Sequence, residues 1–255
     1  MVETRVYFIG AGPGDPELLT VKGQRLICEA DLVLYAGSLV PSEVVAGAKV
    51  GAKVADSAPL NLEETHDLMM ETVRAGGSVA RVHTGDPSLY GAIREQMELL
   101  DRDGVGYSVV PGVTAGFAAA AAAMKSYTVP EVTQTLIFTR LAGKTPVPES
   151  EDLRKLAAHG SAMCIYLSAG NPEGIQKELL AGGLGESTLV VMAYRVGWPE
   201  ERVVETELGQ LAHTARTNDF VRQTVFLILP GQGVKDAGTA KSLLYDENFK
   251  HMYRK

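Results

Sequence analysis

Short β-branched apolar runs, each broken off by a glycine- and proline-rich stretch, recur through the first half of the chain with helical patterns between them. Residues 5–9 lead into Gly10-Ala11-Gly12-Pro13-Gly14-Asp15-Pro16, and 32–35 into Tyr35-Ala36-Gly37-Ser38-Leu39-Val40-Pro41. Residues 78–83 lead into Thr84-Gly85-Asp86-Pro87-Ser88-Leu89-Tyr90-Gly91, and 107–110 into Pro111-Gly112-Val113-Thr114-Ala115. Strands alternating with helices must pair in parallel, with helices on both faces of the sheet. An open parallel sheet binds its ligands beyond the carboxyl ends of the strands. The four stretches therefore belong to one edge and predict one site.

The helices between them carry their own signals. Thr20 can cap a helix reaching Glu29, and a short helix is predicted over 41–45 with proline in its first turn. Residues 53–55 read as a brief strand. Asn61-Leu62-Glu63-Glu64 has the form of a capping box opening a helix to Arg74, stopped by Gly76-Gly77. Helices are predicted over 89–100 and 112–124. The alanines at 118–123 suit close helix packing. The alternation breaks around 126–134, read as a linker between an α/β domain at 1–125 and a second at 135–231. In that second half, strands are predicted at 135–140, 162–167, 188–194, 202–208 and 223–229. Helices are predicted at 151–158 and after Asn171-Pro172. The loop between 194 and 202 is too short for a crossover helix, so those two strands should pair antiparallel and make the second sheet mixed. Residues 232–255 are polar and aperiodic and read as a tail.

The first stretch begins like a dinucleotide fingerprint but does not continue as one. The third glycine would stand at 15, where the chain has Asp15, and no acidic residue follows the second strand to take a ribose. Phosphates are cradled by backbone N–H groups. Proline has none, yet Pro13, Pro16, Pro41, Pro87 and Pro111 all fall in these stretches. They offer carbonyls and rigid turns, which suit a ligand with N–H donors and positive charge better than a pyrophosphate.

The formal net charge of −7 gives bulk electrostatics no reason to favour nucleic acid. The two cysteines, Cys28 and Cys164, lie far apart in apolar segments and read as buried thiols of a reducing compartment rather than a disulfide. The five histidines show no ligand spacing, so no protein-bound metal is expected. No apolar run is long enough to span a bilayer. These features predict a cytoplasmic protein with no membrane partner.

Taken in order, the four stretches resemble those of the tetrapyrrole methyltransferases that use S-adenosylmethionine. The resemblance runs from about residue 4 to 230. Tyr35-Ala36-Gly37-Ser38-Leu39-Val40 is similar to the branch that methylates carbon 11 of precorrin-4 in cobalamin synthesis. So are Pro130-Glu131-Val132-Thr133-Gln134-Thr135, Thr139-Arg140, Gly143-Lys144-Thr145-Pro146-Val147-Pro148-Glu149 and the Trp198-Pro199 pair. Sister enzymes acting on the uroporphyrinogen ring carry Asp where this chain has Ala36, so no acid–base role is expected there.

The resemblance implies two α/β domains with the active site between them, a homodimer, and methyl transfer to a tetrapyrrole, with S-adenosylhomocysteine as product. By position it implies cofactor contacts from Pro13, Thr84, Gly85, Asp86, Leu89, Thr114 and Ala115. From the second domain it implies Tyr166, Leu167, Tyr194 and Arg195. Ser38, Tyr90, Arg140 and Lys144 are the candidates for the substrate, whose many carboxylates call for basic partners. No catalytic residue is singled out. A sulfonium is already an activated leaving group, so a methyltransferase needs no Ser/His/Asp or Cys/His nucleophile. Each residue has a plainer role available: Asp86 as a turn residue before Pro87, Thr114 as a helix-start residue, His83 as a structural histidine rather than a proton carrier, Tyr90 and Tyr194 as packing residues. Competing functions are a methyltransferase of ribosomal RNA ribose or of the diphthamide type, a nicotinamide-dependent oxidoreductase, and a non-catalytic tetrapyrrole carrier.

Overall fold

The computed structural model describes residues 3–233 together with Lys250 and Met252. Contacts divide the chain into two units. One runs to Ala118 and takes in Gly197–Pro199; the other holds Ala119–Val196 and continues from Glu200.

The first unit runs β1 (Thr4–Gly10), α1 (Val21–Glu29), β2 (Leu32–Tyr35), α2 (Ser42–Val45), β3 (Lys53–Asp56), α3 (Leu62–Arg74), β4 (Val79–His83), α4 (Ile93–Arg102), β5 (Gly106–Val110) and α5 (Ala115–Ala122), the last crossing the division. Its sheet has the order β3-β2-β4-β1-β5 with every pairing parallel. Side chains alternate between faces along each strand. Ile9, Val33, Ala80 and Val82 pack with Ile27 of α1 on one face. Val6, Phe8, Leu32, Leu34 and Val79 pack with Met69 of α3 and Leu100 of α4 on the other. Each fully buried side chain of this size contributes about 1.5–3 kcal/mol. The chain leaves β1 through α1 on the first face toward β2, and leaves β4 through α4 on the second face toward β5. Those departures run in opposite directions, so the crevice between the carboxyl ends of β1 and β4 is the switch point where such sheets bind ligands.

The caps form as their spacing predicts. Thr20 Oγ1 accepts from Gly23 N at 3.1 Å. Asn61 Oδ1 accepts from Glu64 N at 2.9 Å, while Glu64 Oε2 accepts from Asn61 N at 2.8 Å.

The second unit contains β6 (Leu136–Arg140), α6 (Leu153–Ala157), β7 (Ala162–Tyr166), α7 (Pro172–Ala181), β8 (Leu189–Tyr194), β9 (Arg202–Glu207), α8 (Leu211–Thr217) and β10 (Thr224–Leu229). The sheet order is β6-β7-β10-β8-β9; β6–β7 is parallel and the other three pairings are antiparallel. Its core joins Met163, Ile165, Val190, Met192, Phe226 and Ile228 of the sheet to Ile175 and Leu179 of α7. The short β8–β9 connection is antiparallel, as its length requires.

Several expectations are corrected. The helix expected over 89–100 begins only at Ile93, because Tyr90 (φ 57°) and Ala92 (φ 48°) take the left-handed conformation. Gly91 there backs directly onto the Pro87 carbonyl, leaving no room for a side chain. The helix expected over 112–124 is confined to Ala115–Ala122, since Gly112 belongs to a tightly packed turn. The helix expected over 151–158 is a 3-10 turn, Glu149–Glu151, followed by α6. Helix α8 was not foreseen, although its buried Leu211 and Ala215 continue at helical spacing from Leu208 of the 3-10 turn before it. Cys28 is half-buried rather than buried; Cys164 is buried, burial pushes its thiol up to about 12, and both are free. Of the segment read as a tail, Gln232 bonds through Nε2 to the Ser126 carbonyl at 2.7 Å. Residues 234–249, 251 and 253–255 lie outside the described residues.

Candidate functional site

Three of the four glycine- and proline-rich stretches are joined by hydrogen bonds at the switch point. Gly12 N donates to the Gly85 carbonyl at 3.2 Å and Gly85 N to the Gly12 carbonyl at 2.7 Å, an isolated antiparallel bridge just past the ends of the parallel strands β1 and β4. Gly112 is bound to the same place. A Cβ on Gly10 would lie 2.5 Å from Gly112 Cα and 2.6 Å from the Gly85 carbonyl oxygen, and one on Gly112 would overlap that same oxygen. Backbone meets backbone at this edge, which is why the positions are glycine.

Asp86 locks the arrangement. Its Oδ1 accepts from Ser88 N at 2.9 Å and from Ser88 Oγ, and its Oδ2 accepts from Gly112 N at 2.9 Å. Burial opposes the charge, but the bonds from Ser88 Oγ, Gly112 N and Ser88 N outweigh it and hold the carboxyl below the usual carboxylate range. Both oxygens thus tie the 84–91 stretch to the 111–115 stretch. Thr84, half-buried, and Gly85, buried, precede it; Leu89 is half-buried and Tyr90 exposed. Buried Thr114 starts α5 through its carbonyl, which accepts from Phe117 N and Ala118 N, and Ala115 is the first residue of that helix.

The first stretch is shaped around Trp198. The indole Nε1 donates to the Pro13 carbonyl at 3.0 Å, and Gly14 lies against the ring so closely that a side chain there would overlap it. Pro13 is buried. Asp15 caps a 3-10 turn, Pro16–Leu18, by accepting from Glu17 N at 2.9 Å. The position where a dinucleotide site needs its third glycine therefore has a different task. The fourth stretch is held by Asp56, a residue the sequence did not single out. Its Oδ1 accepts from Gly37 N and Ala58 N, each at 2.8 Å. Ser38 is exposed beside it.

His83 ends β4, packed against the Phe8 ring at 5.9 Å. Burial first, then the Arg81 charge, lowers it to about 3, so the imidazole is neutral. That state fits the structural reading of His83 rather than the proton carrier.

In the second unit the carboxyl ends of β6, β7 and β8 lie at one edge with the start of β9 and β10. This places Arg140, Tyr166, Leu167, Tyr194 and Arg195 together on that edge. Leu167 (φ 53°) and Arg195 (φ 47°) are left-handed; Leu167 is 70% exposed. Ser168 Oγ donates to the Tyr166 carbonyl at 2.6 Å and accepts from Leu141 N at 2.8 Å, tying the ends of β6 and β7. Arg140 donates to the Thr145 carbonyl at 3.0 Å and the Pro146 carbonyl at 2.6 Å, so it holds the 142–150 loop on which exposed Lys144 sits. Arg195 pairs with Glu200 at 3.3 Å. The Tyr194 ring stacks on Phe220 at 5.5 Å and 8°, with the Arg202 guanidinium 4.8 Å from both centroids. Arg202 was missed because only the β8–β9 register, which pairs it with Tyr194, brings it there.

Among the described residues no cluster of three or more His, Cys, Asp or Glu could hold a metal ion, and no helix is long and apolar enough to cross a membrane.

Residues 5–212 match the family model described as tetrapyrrole (corrin/porphyrin) methylases. The chain belongs to that family. A precorrin-4 C(11)-methyltransferase of Pseudomonas aeruginosa is 45% identical over 98% of this chain and 98% of its own length. The X-ray structure of a cobalamin biosynthetic enzyme, cobalt precorrin-4 methyltransferase, superposes with a TM-score of 0.86 at 48% identity, covering 88% of this chain and 93% of that one. The uroporphyrin-III C-methyltransferase of Thermus thermophilus, complexed with S-adenyl homocysteine, matches at 0.71 and 31% identity over 88% and 96%. The family's two-domain α/β plan, one sheet parallel and one mixed, is the plan of this chain.

Proposed function

We propose that this protein transfers the methyl group of S-adenosylmethionine to carbon 11 of precorrin-4, giving precorrin-5 in cobalamin synthesis. The observation that carries the proposal is the near-full-length identity of 45% and 48% to enzymes named for that step. One of those names specifies the cobalt form of the substrate and the other does not, so the metal, where present, arrives with the substrate.

The donor chemistry of the first edge fits the cofactor. Its stretches are rich in prolines, which offer carbonyls and no N–H groups, and the Asp86 carboxylate is held ionised by its neighbours. Such an edge favours a ligand with amino donors and a positive centre. The cofactor supplies the methyl group on a sulfonium, and the S–CH3 electron pair leaves on sulfur as the ring carbon forms its new C–C bond. The protein's part is alignment. Orientation of the reacting atoms alone can contribute roughly 7–11 kcal/mol. Pro13, Thr84, Gly85, Asp86, Leu89, Thr114 and Ala115 are proposed for the cofactor, as are Tyr166, Leu167, Tyr194 and Arg195. Asp86 acts by fixing the Gly112 turn, since its oxygens already accept three hydrogen bonds. Ser38, Tyr90, Arg140 and Lys144 are proposed for the substrate. The family resemblance supports a homodimer, and the absence of a membrane-crossing helix among the described residues is consistent with a cytoplasmic location. A monomer mass by light scattering at micromolar protein would remove the dimer.

The test is turnover with S-adenosylmethionine labelled at the methyl carbon, offered precorrin-4 and cobalt-precorrin-4 in separate reactions. Label on carbon 11 of either ring is the expected result, and the faster reaction identifies the natural form. Label elsewhere on the ring, or on RNA or protein but on neither ring, would overturn the assignment.

A further inference from the structure

Arg81 stands in the middle of β4, 7% exposed, on the sheet face covered by α3 and α4. Its Nε donates to Gln96 Oε1 at 3.0 Å and its Nη1 to the Leu34 carbonyl at 3.2 Å; both partners are neutral. Among the described residues no carboxylate forms an ion pair with it. Burial lowers its pKa to about 10 while the Asp56 charge works the other way, so the guanidinium is charged at neutral pH. Buried charges are ordinarily paired, because an unpaired one carries a large desolvation penalty.

A cavity of about 270 Å³ opens over this guanidinium, lined by Ser57, Asn61, Thr65, Ala92, Gln96 and exposed Glu95. Ser57 directly follows β3, and Ala92 follows the 84–91 stretch, so the cavity lies at the carboxyl edge of the sheet. Ala92 also opens α4, and no side chain caps that helix. The positive end of the α4 dipole and first-turn N–H groups that no side chain caps therefore stand at the cavity. The lining sets the hydroxyls and amides of Ser57, Asn61, Thr65 and Gln96 beside Leu60 and Leu62; Glu95 is its sole acid, and the Asp56 charge acts on Arg81 from outside it.

We propose that this cavity is an anion subsite that receives one carboxylate arm of the tetrapyrrole, with Arg81 as its fixed charge. The proposal rests on the methyltransferase reading for the identity of the ligand. The chemistry of the subsite, one carboxylate or phosphate group, rests on the cavity, the unpaired guanidinium and the uncapped helix.

The experiment compares wild type, Arg81→Gln and Ala92→Asp. Aspartate tolerates the left-handed backbone at 92 (φ 48°) better than alanine, so Ala92→Asp tests the site without disturbing the core. It places a negative charge at the cavity. Binding of uroporphyrin, a polycarboxylate porphyrin, is followed by fluorescence, with its methyl ester and inorganic phosphate as separate probes. S-adenosylhomocysteine is titrated in parallel. The expected result is wild-type binding of uroporphyrin weakened roughly tenfold or more in both variants, weak binding of the ester by all three proteins, and the same S-adenosylhomocysteine affinity in wild type and Ala92→Asp. Equal uroporphyrin affinity in wild type and Ala92→Asp would overturn the subsite. Phosphate binding lost in Ala92→Asp, with uroporphyrin affinity unchanged, would overturn the substrate arm and leave a free-anion site. Failure of the methyltransferase reading would show separately, as wild-type protein that binds uroporphyrin but not S-adenosylhomocysteine.

Discussion

The two sheets finish their carboxyl edges in different materials. In the first unit the edge is backbone: Gly10, Gly12, Gly85 and Gly112 meet through peptide groups, and Asp86 and Asp56 secure the turns by accepting N–H bonds. In the second unit the edge is side chain: Arg140 holds a loop, Ser168 ties two strands, and Arg202 lies over Tyr194 and Phe220. A backbone edge has one geometry and tolerates almost no change. A side-chain edge can be altered one group at a time. The first can hold only one arrangement of its turns, whereas the second leaves room to adjust single contacts.

The largest effect should come from breaking the backbone edge. Gly112→Ala drives a methyl group into the Gly85 carbonyl, and overpacking of this kind costs about 3 kcal/mol. For a chain of this size that is roughly 6–12 °C in Tm. An unchanged melting curve would mean that the three stretches are not in contact. Asp86→Ala should follow. It leaves Gly112 N without its acceptor, costs about 2 kcal/mol, and lowers S-adenosylhomocysteine affinity tenfold or more while the far-UV circular dichroism stays native. Native affinity in that variant would take Asp86 out of the site.

His83 gives the first unit a pH signature that begins just below pH 6.5. Its folded pKa, about 3, lies below the ordinary 6.5. Above pH 6.5 it is neutral in both states and contributes no slope. As pH falls from 6.5 toward 3, the unfolded chain takes up a proton that the folded chain refuses. Stability is then lost at about 1.4 kcal/mol per pH unit. His83→Gln should flatten that part of the acid denaturation profile; an unchanged slope would show that His83 is protonated in the fold. The smallest effect is predicted at the side-chain edge. Arg202→Ala removes a cation–π contact worth about 0.5–1 kcal/mol. It should weaken cofactor binding two- to threefold with little change in Tm, and a loss as large as that of Asp86→Ala would erase the contrast between the edges.

The same contrast explains what could be read from the residues alone. Strands β1, β2 and β4 and their glycine-rich ends are local signals, because apolar runs and turn residues act over a few positions. The dinucleotide reading failed at Asp15 on the same local grounds, and the structure gives Asp15 a capping bond instead. Partners set by register or distance were not legible. Asp56 at the end of β3 reaches Gly37 beyond the end of neighbouring β2, Arg202 meets Tyr194 through antiparallel pairing, and Trp198 reaches Pro13 across 185 positions. The left-handed turn at Tyr90 and Ala92 was hidden because neither residue advertises a positive φ, so a loop was taken for the start of a helix. Helix α8 was overlooked for a different reason: it buries only Leu211 and Ala215, too short a pattern to stand out between two strands.

The central claim is that the carboxyl edge of the parallel sheet holds S-adenosylmethionine rather than a dinucleotide. Calorimetric titration of the purified protein with S-adenosylhomocysteine, with NAD as the matched control, tests it most directly. Stoichiometric binding of S-adenosylhomocysteine and no heat from NAD is the predicted result. Binding of NAD alone, or of neither ligand, would contradict it.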